Sequence, residues 1–143
     1  MGGDTEAERN QLTYFWVGVA GALGSIARYW MALAVLSLTG PAFPWGTILI
    51  NIIGSFVIAF FGTLTGVGGV LNIHNDVRVF VMVGICGGFT TFSSFSLQTL
   101  DLAREGQLLH AVANVTVSVV LCLASVTVGY AAAEYINANR SPV

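Results

Sequence analysis

The sequence predicts an all-α membrane protein whose four transmembrane helices form a single domain over residues 1–143, and three observations predict it. Charged residues make up only 8% of the chain, where a soluble domain usually carries about 25%. Apolar residues make up 55%, and the mean hydropathy is +0.80. The apolar residues gather in four stretches, each long enough to cross a hydrocarbon core ~30 Å thick, which takes about 20 residues of helix.

The first stretch runs from Tyr14 to Leu38. Gly40, Pro41 and Pro44 end it and open the second, from Trp45 to Leu64. A glycine-rich gap with Asn72, His74, Asn75 and Asp76 leads to the third, from Val77 to Leu100. Asp101, Arg104, Glu105 and Gly106 read as the next loop, the fourth stretch runs from Leu109 to Tyr135, and a polar tail follows. None of the four shows the polar face of a helix at a protein–water surface. The first ten residues are acidic, with Asp4, Glu6 and Glu8, where a cleavable secretory leader would be basic, so no such leader is expected.

Net charge is −2 and there is no basic face, which excludes a nucleic-acid partner. The chain has no lysine, and its five cations are Arg9, Arg28, Arg78, Arg104 and Arg140. With four spans, Arg9, Arg78 and Arg140 fall on one side, and Arg104, with Arg28 in the nearer part of the first span, falls toward the other. That difference is too small for the positive-inside rule to fix one orientation, so insertion both ways is open. Cys86 and Cys122 lie in apolar stretches and read as small buried residues. His74 and His110 read as solvated loop residues, with no Cys/His metal spacing.

Inside the spans, small and polar residues form patterns. Gly18, Gly21, Gly24 and Ser25 line the first helix, and Gly62 and Gly66 make a G-x-x-x-G pair in the second. Such residues let helices approach closely in lipid, whatever the protein does. Asn51 shares a face with Gly54, Ser55, Ile58 and Gly62, and an amide in hydrocarbon needs a partner. That partner is either another helix or a polar pathway. Arg28 is the one charge well inside a span, and it either snorkels to the interface or faces a water-filled vestibule that attracts anions. On the fourth helix Asn114, Ser118, Cys122, Ser125 and Gly129 share a face, with Thr116 nearby. That stripe either packs on a helix or lines a narrow hydrophilic route.

The third span holds the least ordinary segment, Gly87-Gly88-Phe89-Thr90-Thr91-Phe92-Ser93-Ser94-Phe95-Ser96. Its paired glycines weaken a helix, and its hydroxyls offer the backbone other partners, so a break mid-membrane is expected. Broken backbone at that depth must be buried in protein or line a cavity, where freed carbonyls suit a cation and half-helix N-termini suit an anion. Phe92 and Phe95 share a face; they either fill space or turn their positive ring edges toward a small anion.

These residues resemble a known family. Gly21 to Tyr29 looks like a G-A-x-x-R-Y motif of the first helix, and Asn51 to Phe56 like an N-x-x-G-S-F motif of the second. Gly87 to Phe95 looks like a G-G-F-T-T-F-S-T-F motif of the third, with Ser94 in place of threonine. The family is the CrcB/Fluc fluoride channels of bacteria, and the resemblance runs from about Gly18 to Gly129. It implies a channel, not an enzyme, that exports fluoride passively across the inner membrane and lowers its toxicity. It implies an antiparallel, dual-topology homodimer in membrane lipid, with a structural sodium ion at its centre. By motif position, the backbone carbonyls of Gly87 and Thr90 would hold the sodium. Phe92, Phe95, Asn51, Ser93 and Ser94 would form the fluoride pore, with Arg28, Gln98, Thr116 and Ser118 as further pore or vestibule residues. Fluoride itself comes from the resemblance; the residues alone do not name the ion.

Two rival readings stand beside it. A small multidrug-type exporter would need a titratable acid within the membrane, and here Asp101 and Glu134 lie only at helix boundaries. A non-transporting assembly subunit would explain the small residues but not the clustered third-helix motif.

Overall fold

The computed structural model describes residues 3–140, with side chains from Glu8 onward except that of Arg9. The side chains of Asp4, Glu6 and Arg9, which entered the leader and orientation arguments, lie outside the described residues. The described chain is helical: α1 (Gly3–Thr39), α2 (Trp45–Leu64), α3 (Asn75–Val79), a π-helical segment (Phe80–Cys86), α4 (Gly87–Phe89), α5 (Phe92–Arg104) and α6 (Leu108–Ala138). Four helical stretches, Asn10–Thr39, Trp45–Leu64, Asn75–Arg104 and Leu108–Ala138, are long and apolar enough to cross a membrane. Their exposed side chains are largely big and apolar, among them Leu23, Ile26, Trp30, Val120 and Leu123, as lipid-facing surfaces require.

The first, third and fourth spans overrun their apolar stretches at both ends, because counting apolar residues finds the hydrocarbon-compatible part and not the helix; the second matches its stretch, Trp45–Leu64. α1 begins at Gly3, eleven residues before the apolar stretch. Asp101 and Arg104, expected in a loop, close α5, with Arg104 in its last turn, where a cation suits the helix dipole. Asn75 and Asp76 likewise open α3, and exposed His74 caps it, its Nδ1 accepting the Asp76 amide at 3.4 Å. His110 is exposed but sits in the first turns of α6, not in a loop. Gly40, at φ +72°, supplies the left-handed residue that ends α1 before Pro41.

Packing is organised around α2, which lies along α6 and also against α1. α1 packs on the π segment and α4, while α5 packs on α6. The third span therefore leans on α1 in its first half and on α6 in its second. The α1 contact is close: a Cβ on Gly88 would stand 2.9 Å from the Gly21 Cα, so glycine is required where the two backbones meet. Gly62 packs on Met82 of the π segment. Gly66 lies beyond the end of α2 and folds back over the Gly62 carbonyl, so the G-x-x-x-G pair is a helix end and not a crossing. Gly18 has open space beside it. Cys86 is buried as expected, and Cys122 is half-buried at the edge of a groove.

The fourth-helix stripe packs inward. Asn114 is fully buried (0% exposed) and donates Nδ2–H to Thr99 Oγ1 at 2.8 Å, and the Ser118 hydroxyl donates to Asn114 Oδ1 at 3.4 Å. Ser125 donates to the Ile52 carbonyl at 2.8 Å, and Gly129 meets the Phe56 backbone. At the end of the chain, Asn137 Oδ1 accepts the Val70 amide at 3.0 Å, and Arg140 donates to the Val70 carbonyl.

Candidate functional site

The helical ladder of the third span stops at Thr90 and Thr91, both extended, at φ −77°, ψ 157° and φ −152°, ψ 110°. The paired glycines expected to weaken the helix are themselves helical, and the interruption follows them. Its cause is a set of side chains that take over backbone partners. Asn51 Oδ1 accepts the Thr91 amide at 2.8 Å, and Asn51 Nδ2 donates to the Thr91 carbonyl at 3.1 Å. One side chain of α2 thus satisfies both backbone groups of a residue that has left the ladder. Thr91 then caps α5, its Oγ1 accepting the Ser94 amide at 3.1 Å and donating to Ser94 Oγ at 3.0 Å.

The carbonyls behind the break change partners as a result. In a continuous helix the Gly87 carbonyl would receive the Thr91 amide and the Thr90 carbonyl the Ser94 amide. Both amides are committed elsewhere. The Gly88 carbonyl receives Arg28 Nε–H at 3.1 Å and the Ser25 hydroxyl at 3.4 Å, and Arg28 Nη2 lies 3.5 Å from Ser25 Oγ. Arg28 therefore turns inward to the end of α4. It does not snorkel away, because a cation beside the final carbonyls of a helix is favourable.

Two grooves flank the break. One, of about 320 Å³, is lined by Asn51, Thr90, Phe92, Phe95, Ser118 and Cys122, among others. The Phe92 and Phe95 rings stand 5.3 Å apart and tilted by 48°, with Phe92 79% exposed and Phe95 half-buried. Asn51 spends one amide N–H on Thr91, which leaves the second for the groove. The other groove, of about 300 Å³, is lined by Ser25, Arg28, Thr47, Thr91, Ser94 and Gln98. Gln98 Oε1 is buried there with no hydrogen-bond partner among the described residues.

The structure thus divides the residues that the sequence grouped together. Asn51, Phe92, Phe95 and Ser118 share the first groove; Arg28, Ser94 and Gln98 share the second. Ser93 is exposed, 3.2 Å from Thr91 by its hydroxyl, and lines neither. Thr116 is exposed on α6 and also lines neither. Gly87 is exposed behind the break. Sequence reading missed Thr91, the residue on which both grooves and the Asn51 bridge converge. A hydroxyl residue three positions before Ser94, at the start of a new helix, was the available signal.

Comparison with known proteins agrees in length and in name. Residues 15–130 match the family described as CrcB-like protein, Camphor Resistance (CrcB). A Rhodospirillum rubrum protein named fluoride-specific ion channel FluC is 56% identical over 126 residues, covering 88% of this chain and 98% of the relative. Proteins of the same name from Methylocella silvestris and Methylobacterium radiotolerans are 52% and 53% identical, covering 96% and 87% of their own lengths. With four helices of membrane-spanning length and a family match across all of them, the chain belongs to the CrcB-like family.

Proposed function

We propose that this chain is a fluoride-selective channel, not an enzyme, through which fluoride leaves the bacterial cytoplasm passively across the inner membrane. The observation that carries the reading is the alignment, over 88% of the chain, with relatives named fluoride-specific ion channels. The exporter and assembly-subunit readings rest on no such observation.

The first groove is the conducting site. A desolvated fluoride needs partial positive charge in place of water. The ring edges of Phe92 and Phe95 supply it, together with the second amide N–H of Asn51; Ser118 lines the same groove but gives its hydroxyl proton to Asn114 Oδ1. None of these is a full cation, so the ion is held without a deep trap. Ser94, Arg28 and Gln98 line a vestibule across the break from this groove, and Ser93 lines neither space. Thr116 has no part in this reading.

The channel is an antiparallel homodimer in lipid, with the interruption of the third helix at mid-membrane. Support comes from what one chain leaves uncovered: the polar Ser93 and Ser96, the backbone at Gly87 and the ring of Phe92 are all exposed. Broken backbone at membrane depth is tolerated only where protein or a cavity covers it, and a second copy is that cover. The carbonyls of Gly87 and Thr90 have each lost the amide a continuous helix would give them, and such oxygens suit a hard cation. A sodium ion bound there would supply charge that ties oxygens of the two subunits together.

The test is efflux from liposomes holding the purified protein, with fluoride and chloride compared. Rapid fluoride efflux with little chloride efflux is expected, and equal rates for both would defeat the reading. Tag accessibility on the tails should find both orientations; one orientation alone excludes the antiparallel pair. Full activity after exhaustive removal of sodium would exclude the cation.

A further inference from the structure

Two strong acceptors stand beside the first groove, the Thr91 carbonyl and Asn51 Oδ1, and each is occupied by the other's residue. The carbonyl takes Asn51 Nδ2–H at 3.1 Å, and Oδ1 takes the Thr91 amide at 2.8 Å. Turning the Asn51 amide over would set Oδ1 against the carbonyl and Nδ2 against the amide, which replaces two attractions with two repulsions. The backbone of Thr91 therefore accepts one orientation of Asn51 and refuses the other. The Nδ2 proton in use lies on the Oδ1 side of the side-chain amide, so the second points away from Thr91. Three hydroxyls of the same groove give their protons to protein acceptors: Thr90 to the Cys86 carbonyl, Thr91 to Ser94 Oγ and Ser118 to Asn114 Oδ1. They do not duplicate the Asn51 proton.

The side chain of Thr91 holds the backbone that does this. Its Oγ1 accepts the Ser94 amide at 3.1 Å, donates to Ser94 Oγ at 3.0 Å and lies 3.2 Å from Ser93 Oγ. These bonds tie extended Thr91 to the first turn of α5, so its N–H and C=O stay aimed at Asn51. We propose that Thr91 is a positioning residue that sets the polarity of the conducting groove. Acting through Asn51, it presents a donor to the ion and hides two oxygens that would repel an anion. The proposal rests on the fluoride-channel reading and deepens it. A donor fixed in advance needs no reorganisation when the ion arrives, and the balance of donors and acceptors along a pore decides which ions it admits.

The experiment uses full-length protein with isotope-labelled asparagine side chains, read by NMR, beside fluoride efflux from liposomes. The Asn51 signal is identified by its absence from Asn51→Asp. In wild type, added fluoride should shift one of the two Asn51 side-chain protons, and the other should exchange slowly with water because the Thr91 carbonyl holds it. Thr91→Val keeps the shape and loses the hydroxyl. It should make the two protons alike and slow efflux about fivefold, the loss of one N-cap expressed as a rate. Thr91→Ser keeps the hydroxyl and should restore both readouts. Wild-type efflux from Thr91→Val overturns the proposal. So does a slowed, less stable Thr91→Val in which a single Asn51 proton still answers to fluoride, since Thr91 would then be a helix cap and nothing more. Should Thr91→Val fail to assemble, the wild-type titration decides: two protons that respond equally, or none that responds, overturn the idea. Wild-type vesicles that pass no fluoride would instead overturn the channel reading beneath it.

Discussion

The third and fourth spans carry much the same kinds of side chain and put them to opposite uses. In α6 the polar stripe adds bonds to a helix that runs unbroken for 31 residues. Ser125 adds a second donor to an Ile52 carbonyl already inside the α2 ladder, and Asn114 and Ser118 bond to side chains. In the third span the polar groups replace backbone partners. Asn51 holds both backbone groups of Thr91, the Thr91 hydroxyl takes the Ser94 amide, and Arg28 takes the Gly88 carbonyl. Composition therefore does not decide whether a polar membrane helix is a packing element or a site. What decides it is whether a side chain adds to the ladder or substitutes for part of it.

The sharpest way to break this contrast is Asn51→Ala. It leaves the amide and carbonyl of Thr91 without partners, and the expected loss is about 3 kcal/mol, because each buried unpaired group costs ~1–3 kcal/mol. Thermal unfolding in detergent, alongside fluoride efflux, reads it. An unchanged melting temperature would mean that Asn51 does not hold the break. A smaller effect is expected from Phe92→Ile or Phe95→Ile. If the ring edges bind the ion, efflux falls at least about tenfold, equivalent to ~1.4 kcal/mol in the barrier. Assembly should survive, since apolar swaps of similar volume cost under ~1.5 kcal/mol. Two isoleucine variants with near wild-type efflux would return both rings to packing. The smallest effect should come from Ser125→Ala in α6. Its carbonyl partner keeps a ladder bond, so about 0.6 kcal/mol or less is expected, the average for side-chain hydrogen bonds within membranes. A loss as large as that of Asn51→Ala would erase the distinction between the two spans.

The four spans were legible because lipid imposes a length and a composition that a sequence displays openly. The second span was read to its ends, since Pro44 and the glycine-rich gap bound it. The first and third were read short, because polar residues such as Asp101 and Arg104 extend a helix beyond its apolar part. Gly87 and Gly88 drew attention as helix weakeners, yet Gly88 is needed for close approach to Gly21. The interruption falls at Thr91 because a partner 40 residues away diverts its amide, and no local spacing reveals that. The same long-range bridge explains why the candidate residues divide between two grooves. Ser94 and Phe95 are neighbours in sequence and line different cavities, because successive residues of a helix point in different directions around its axis.

Val70 offers a further consequence. Its amide and carbonyl are both held by side chains from the last turn of α6 and the residues after it, Asn137 and Arg140. The connection between the second and third spans and the end of α6 are thereby one mechanical unit. A domain fused after Arg140 hangs from a fixed bracket, and a pull on it reaches the Gly68 turn directly. A protease that trims the chain back past Asn137 removes that bracket with the last turn of α6 and exposes the connection to a second cut.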